Sequence, residues 1–130
     1  MFWNKRKYYD EDFGELIFEC DSWQCKVVIN EDDSFIDIEG SKEAPDLIAL
    51  EQAKKLFTII GSSIETAIEF IGTKDISQFS SGMGKFVFDG FRSSKDSGKY
   101  DLEFGLTDWP DAMIVVHFNQ GVPYEISLND

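Results

Sequence analysis

The sequence has a single histidine and two cysteines, Cys20 and Cys25. The cysteines are not in CxxC spacing, so the usual ligand set of a zinc site is missing, and no metal or other cofactor is expected. Two thiols five positions apart on neighbouring strands read as reduced, small hydrophobes of a reducing compartment. Cations are also scarce: twelve Lys and Arg face twenty-five Asp and Glu, for a formal charge of -13. Repulsion of phosphate argues against nucleic acid and anionic membrane surfaces as partners, and favours a cationic one, a basic protein above all. The plainer reading of the acidity is solubility.

Long hydrophobic runs are missing too. The most apolar stretch, Leu47 to Ile71, is interrupted by Glu51, Lys54, Lys55, Glu65 and Glu69, which rules it out as a bilayer span. At the N-terminus the basic cluster Lys5-Arg6-Lys7 follows the apolar Phe2-Trp3 and an acidic stretch comes next. That order does not make a signal peptide, and the cytoplasm is the expected compartment.

What is present suits a packed core. The chain of 130 residues with twelve Phe, three Trp and four Tyr is expected to form one domain over 1–130, with large rings supplying buried apolar surface. From Gly14, Leu16, Phe18 and Cys20 alternate with acidic residues. Trp23, Cys25, Val27 and Ile29 repeat the pattern, and Ile36 and Ile38 oppose Asp37 and Glu39. Each run has the period of a half-buried strand.

The period then changes. Leu50, Ala53, Phe57, Ile60, Ile64, Ala67 and Ile71 fall three and four apart, on one side of a helix. Asp46 is placed to cap its N-terminus and Gly72 to follow its end, which sets one helix at about 47–71. Gly61 interrupts it, and Ser62 with Glu65 could instead start a second helix through a capping box. The unbroken stripe favours one, bent if anything.

Past a Gly- and Ser-containing loop over 73–84, strands resume around Phe86–Phe88, Tyr100–Leu106, Ala112–Asn119 and Val122–Leu128. The summed order is βββ-α-ββββ, an α+β fold in which the helix covers one face of a mainly antiparallel sheet. Residues 113–118, apolar on both faces, should be the most central strand, and Pro123 should mark an edge.

No catalytic motif emerges. The acidic residues of 31–33 and 37–39 lack the alternation and central Gly of a calcium loop and read as solvated surface. Ser81-Gly82-Met83-Gly84-Lys85 has closely spaced glycines before a lysine but precedes a strand, so it reads as a hinge rather than a phosphate loop. His117 shares its strand face with Met113 and Val115 and reads as a hydrogen-bonded structural histidine, although a general base with a serine or Cys25 is the alternative. Trp109, flanked by Pro110, Asp108 and Asp111, is the best candidate for a partner-binding anchor, because a ring in an acidic turn is available to an interface. The competing reading folds it back over the end of the sheet. Phe2 and Trp3 pose the same choice and leave a homodimer open.

Asp12-Phe13-Gly14-Glu15-Leu16 followed by Trp23, a helix after three strands, Leu106-Thr107-Asp108-Trp109-Pro110 and a closing Asn119-Gln120-Gly121 hairpin together resemble small uncharacterised bacterial domain families. Some proteins of that type are immunity proteins of toxin loci. The expected function is a non-enzymatic protein-binding domain, with neutralisation of a basic toxin as its sharpest form. The alternative is a small-molecule binder or small enzyme with its site between helix and sheet.

Overall fold

The computed structural model describes residues 5–74 and 82–129. Phe2, Trp3 and Ser81 lie outside them. Four strands come first: β1 (Lys7–Asp10), β2 (Gly14–Glu19), β3 (Ser22–Ile29) and β4 (Asp32–Glu39). Two helices follow, α1 (Leu47–Thr58) and α2 (Ile60–Gly72), then β5 (Phe86–Ser93), β6 (Lys99–Leu106), β7 (Trp109–Asn119) and β8 (Val122–Asn129). All eight strands join one sheet in the order β1-β2-β3-β4-β5-β6-β7-β8.

This corrects the expected βββ-α-ββββ order with its one long helix. The sheet is mixed: β4 and β5 pair in parallel, every other neighbouring pair antiparallel. The helix pair is the crossover that returns the chain to start β5 beside β4, which a hairpin cannot do. The middle of the sheet is therefore β4 and β5, and β7, expected there, lies next to the edge strand β8, which carries Pro123. β1 escapes a sequence reading because its four residues, Lys7-Tyr8-Tyr9-Asp10, are too few to show a period.

Turn chemistry sets the hairpin registers. Cys20-Asp21, Asn30-Glu31 and Gln120-Gly121 each have both φ angles positive. That is the handedness of two-residue turns matching strand twist. Cys20 is thus exposed in a turn rather than buried on a strand.

The helix starts as its sequence dictates: the Asp46 side chain accepts from the Ala49 amide at 3.0 Å. It breaks at Ile59, where φ is -117° and ψ 18° and the amide bonds back to Leu56. The break falls before Gly61, in a β-branched Ile59-Ile60 pair with low helix propensity followed by Gly and two Ser. α2 starts with no side-chain cap, so the Ser62 capping box does not form. Gly72 is the last helical residue, and Thr73 follows in a right-handed conformation. The break changes the buried stripe: Leu56 is buried in place of Phe57, which packs edge-on against Phe13 instead.

Both helices cover one face of the sheet. There Leu16, Trp23, Ile36, Ile38, Phe91, Leu102, Phe104, Val116 and Phe118 meet Ala49, Leu50, Ala53, Ile64, Ala67 and Ile71 in one cluster. Trp23 satisfies its indole N–H on the Ser41 carbonyl at 2.8 Å. Gln52 fastens α1 to the β5–β6 turn, donating to the Lys99 carbonyl and accepting from the Gly98 amide. Lys54 reaches the buried Asp10 at 2.9 Å, tying α1 to the first hairpin. Burial pushes the Asp10 carboxyl up, but the Lys54 bond and the amides of Phe13 and Asp12 outweigh it and hold it below its ordinary value.

Candidate functional site

Among the described residues no helix covers the other face of the sheet. In an antiparallel or parallel ladder, paired residues point to the same side. The register therefore lines up Gln24 with Asp37, Asp37 with Arg92, Arg92 with Asp101, Asp101 with His117 and His117 with Glu125. One polar row thus crosses β3 to β8. The row beside it runs Lys26, Phe35, Gly90, Glu103, Val115 and Ser127. Gly90 is required here, because a Cβ would lie 2.3 Å from the Phe35 carbonyl oxygen and against its ring. β5 carries a bulge at Asp89, between Phe88 and Gly90, and the Asp89 carboxylate reaches over Gly105 on the same open face.

Two bonded groups sit in the first row. Arg92 Nη2 is 3.2 Å from Asp37 Oδ2. His117 is held at both ring nitrogens, Nδ1 at 2.7 Å from Asp101 Oδ1 and Nε2 at 2.8 Å from Ser127 Oγ. With Nδ1–H donating to Asp101, Nε2 is free to accept the serine hydroxyl.

Two carboxylates on this face are left incomplete. Asp37 and Glu103 are 4% and 6% exposed, and Asp37 Oδ1 and Glu103 Oε2 are buried without a hydrogen-bond partner. A buried carboxylate oxygen without a hydrogen-bond partner is costly. Burial raises the Glu103 carboxyl above its ordinary value. Arg92 opposes the rise, while Asp37, Asp101 and Asp89 add to it. Burial raises Asp89 as well. The field on this face is thus dominated by carboxylates, with Arg92 set among them.

A cleft of about 470 Å³ lies over one end of the row, between the Cys20–Asp21 turn and Tyr124, with Asp37, Arg92 and Asp101 in its lining. Cys25, on the helix side, is half-buried, and burial pushes its thiol up to about 11, far from a nucleophile's range. Among the described residues no group of three or more His, Cys, Asp and Glu is arranged to hold a metal ion, and no helix is long and apolar enough to cross a membrane.

Trp109 lies elsewhere. It opens β7 opposite Leu106, at the far end of β6 from Asp101, and is half-buried against the core, with Asp108 and Asp111 exposed beside it. The turn is Thr107-Asp108 alone, so the ring belongs to a strand rather than to a polar turn. Gly84 also has a packing role: a Cβ there would collide with Thr107 Oγ1, which accepts from the Lys85 amide at 2.9 Å. Asp37, read as solvated surface, is among the most buried charged groups. The one signal that could have marked it is its alternation with Ile36 and Ile38 in a run with buried neighbours. His117 does have its carboxylate, but on the open face, away from the helix–sheet interface that the apolar cluster occupies.

Comparison with protein-family models, with curated proteins and with solved structures gave no match for this chain.

Proposed function

We propose that this chain is a protein-binding domain that takes a basic partner on the open face of its sheet. The observation that carries this reading is the pair of buried carboxylates, Asp37 and Glu103, each with an oxygen that has no partner among the described residues. A cationic partner that displaces the groups covering these oxygens supplies the missing donors, and the formal charge of -13 speeds the encounter. Neutralisation of a basic toxin is the role that best fits a small acidic binder of this kind.

The test is capture from native extract by the immobilised chain at low and at high salt, with the Glu103→Gln, Asp37→Asn double variant beside it. A basic protein held at low salt, released by salt and lost by the double variant is the expected result. A partner that is indifferent to both changes would refute the reading.

A second reading rests on the Asp101–His117–Ser127 chain. A serine within reach of a histidine that a carboxylate orients is the arrangement that activates a hydroxyl nucleophile. On this reading Ser127 Oγ attacks an ester carbonyl as its proton passes to His117 Nε2, the ester C–O bond breaks and the alcohol leaves with that proton, and water then releases the acid and restores the serine. Treatment with a fluorophosphonate separates the two: an adduct on Ser127 that disappears in His117→Ala favours the hydrolytic reading, and an unlabelled chain leaves the relay a positional one.

A further inference from the structure

We infer that the cleft between the Cys20–Asp21 turn and Tyr124 seats an arginine side chain of the partner. The inference rests on the binding reading above and names its chemistry. Asp37 is the centre of the seat. Arg92 bonds one of its oxygens at 3.2 Å and leaves the other buried and unpartnered. One nitrogen on one oxygen is half of what a carboxylate can accept from a guanidinium, whose two parallel N–H bonds fit both oxygens at once.

Arg92 can give way where an incoming guanidinium replaces its ion pair with Asp37. Its side chain is 56% exposed, so swinging it into water uncovers Asp37 with little loss of packing. The remaining lining carries one cation, Lys99, against three carboxylates. Asp101, Asp21 and Glu39 surround the entry with negative charge, and Tyr124, 52% exposed, offers a ring for a planar cation to stack on. A lysine ammonium, as a single point of charge, gains from the surrounding acids but cannot bridge both oxygens of Asp37 in a plane or stack in the same way.

The experiment uses the full chain and two probes of equal length and charge, hexa-arginine and hexa-lysine peptides, in calorimetric titrations at low salt. Hexa-arginine is expected to bind about ten-fold tighter than hexa-lysine. Asp37→Asn is expected to remove that preference while leaving the weaker, charge-driven binding of both. Tyr124→Ala, at an exposed position with no core role, is expected to lower the preference about three-fold. Asp33→Asn, on the same strand face but outside the cleft, should leave it unchanged.

Equal affinity for the two peptides, or a preference that survives both Asp37→Asn and Tyr124→Ala, overturns the arginine seat and leaves the basic-partner reading standing. If neither peptide binds, that reading falls and this inference with it.

Discussion

The two faces of the sheet are built from the same strands and behave as opposites. On the helix side Phe91, Leu102, Phe104 and Val116 are fully buried and need only shape complementarity. On the open side Asp37 and Glu103 are almost as buried, yet each has an oxygen left unpaired. Burial on the first face stabilises the fold, whereas burial on the second costs stability. Folding alone explains the apolar face; on the proposed reading a basic partner uses the open one.

The sharpest contrast is between a core ring and a buried charge. Phe91→Ala should lower stability by about 3–5 kcal/mol, read as a shift in the urea midpoint with unchanged slope. An effect under 1 kcal/mol would mean that the helix-side face is loosely packed. Next is Asp10→Ala, which removes the carboxylate that Lys54 and two backbone amides hold, at a cost of about 2 kcal/mol at pH 7. The Asp10 carboxyl is held below its ordinary 3.8. Its contribution is therefore complete above that pH and is lost as pH falls through the lower folded value. Wild type and variant should converge in acid, and a gap that stays constant down to pH 2 would contradict this ion pair.

Glu103→Gln should do the opposite and raise stability at pH 7 by about 1–2 kcal/mol, because it replaces a buried, incompletely paired charge with a neutral group of the same shape. The Glu103 carboxyl is raised above its ordinary 4.5. The native protein therefore favours the protonated form: stability is greatest below 4.5 and falls as pH climbs through the raised value. The advantage of Gln should appear only above that range. A destabilised variant at pH 7 would mean that Glu103 is a structural ion rather than a tolerated one. The smallest effect tests the turns, which serve both faces alike. Glu31→Gly relieves a φ of 70° and should add about 0.5–1 kcal/mol.

The apolar face was legible in the sequence because alternation and helical spacing report burial directly. Leu16, Trp23, Ile36, Ile38, Leu102 and Val116 all announce themselves, as does the Asp46 cap. The helix break was less so, since the Leu50 to Ile71 stripe runs on through the sequence, and Gly61 and Ser62 mark the neighbourhood of the break but not its place at Ile59. The open face was legible only at His117, which reads as a hydrogen-bonded histidine and is one. Asp37, Arg92, Asp101 and His117 are far apart in the chain and become neighbours through register, above all through the parallel joint of β4 and β5, which no local pattern encodes. Trp109 shows the converse: its acidic neighbours suggest exposure, whereas strand pairing with Leu106 brings its ring against the core.

That joint has a consequence for how the molecule assembles. Strand order follows chain order throughout, so each four-strand half can zip up through short hairpin loops, the fast kind of contact. Only the β4–β5 pairing must close across the helices, a separation that makes it the slow, rate-setting event. Asp37 belongs to the first half and Arg92, Asp101 and His117 to the second. The charged row therefore exists only after the two halves have met, and a partner that needs it can recognise only the finished molecule.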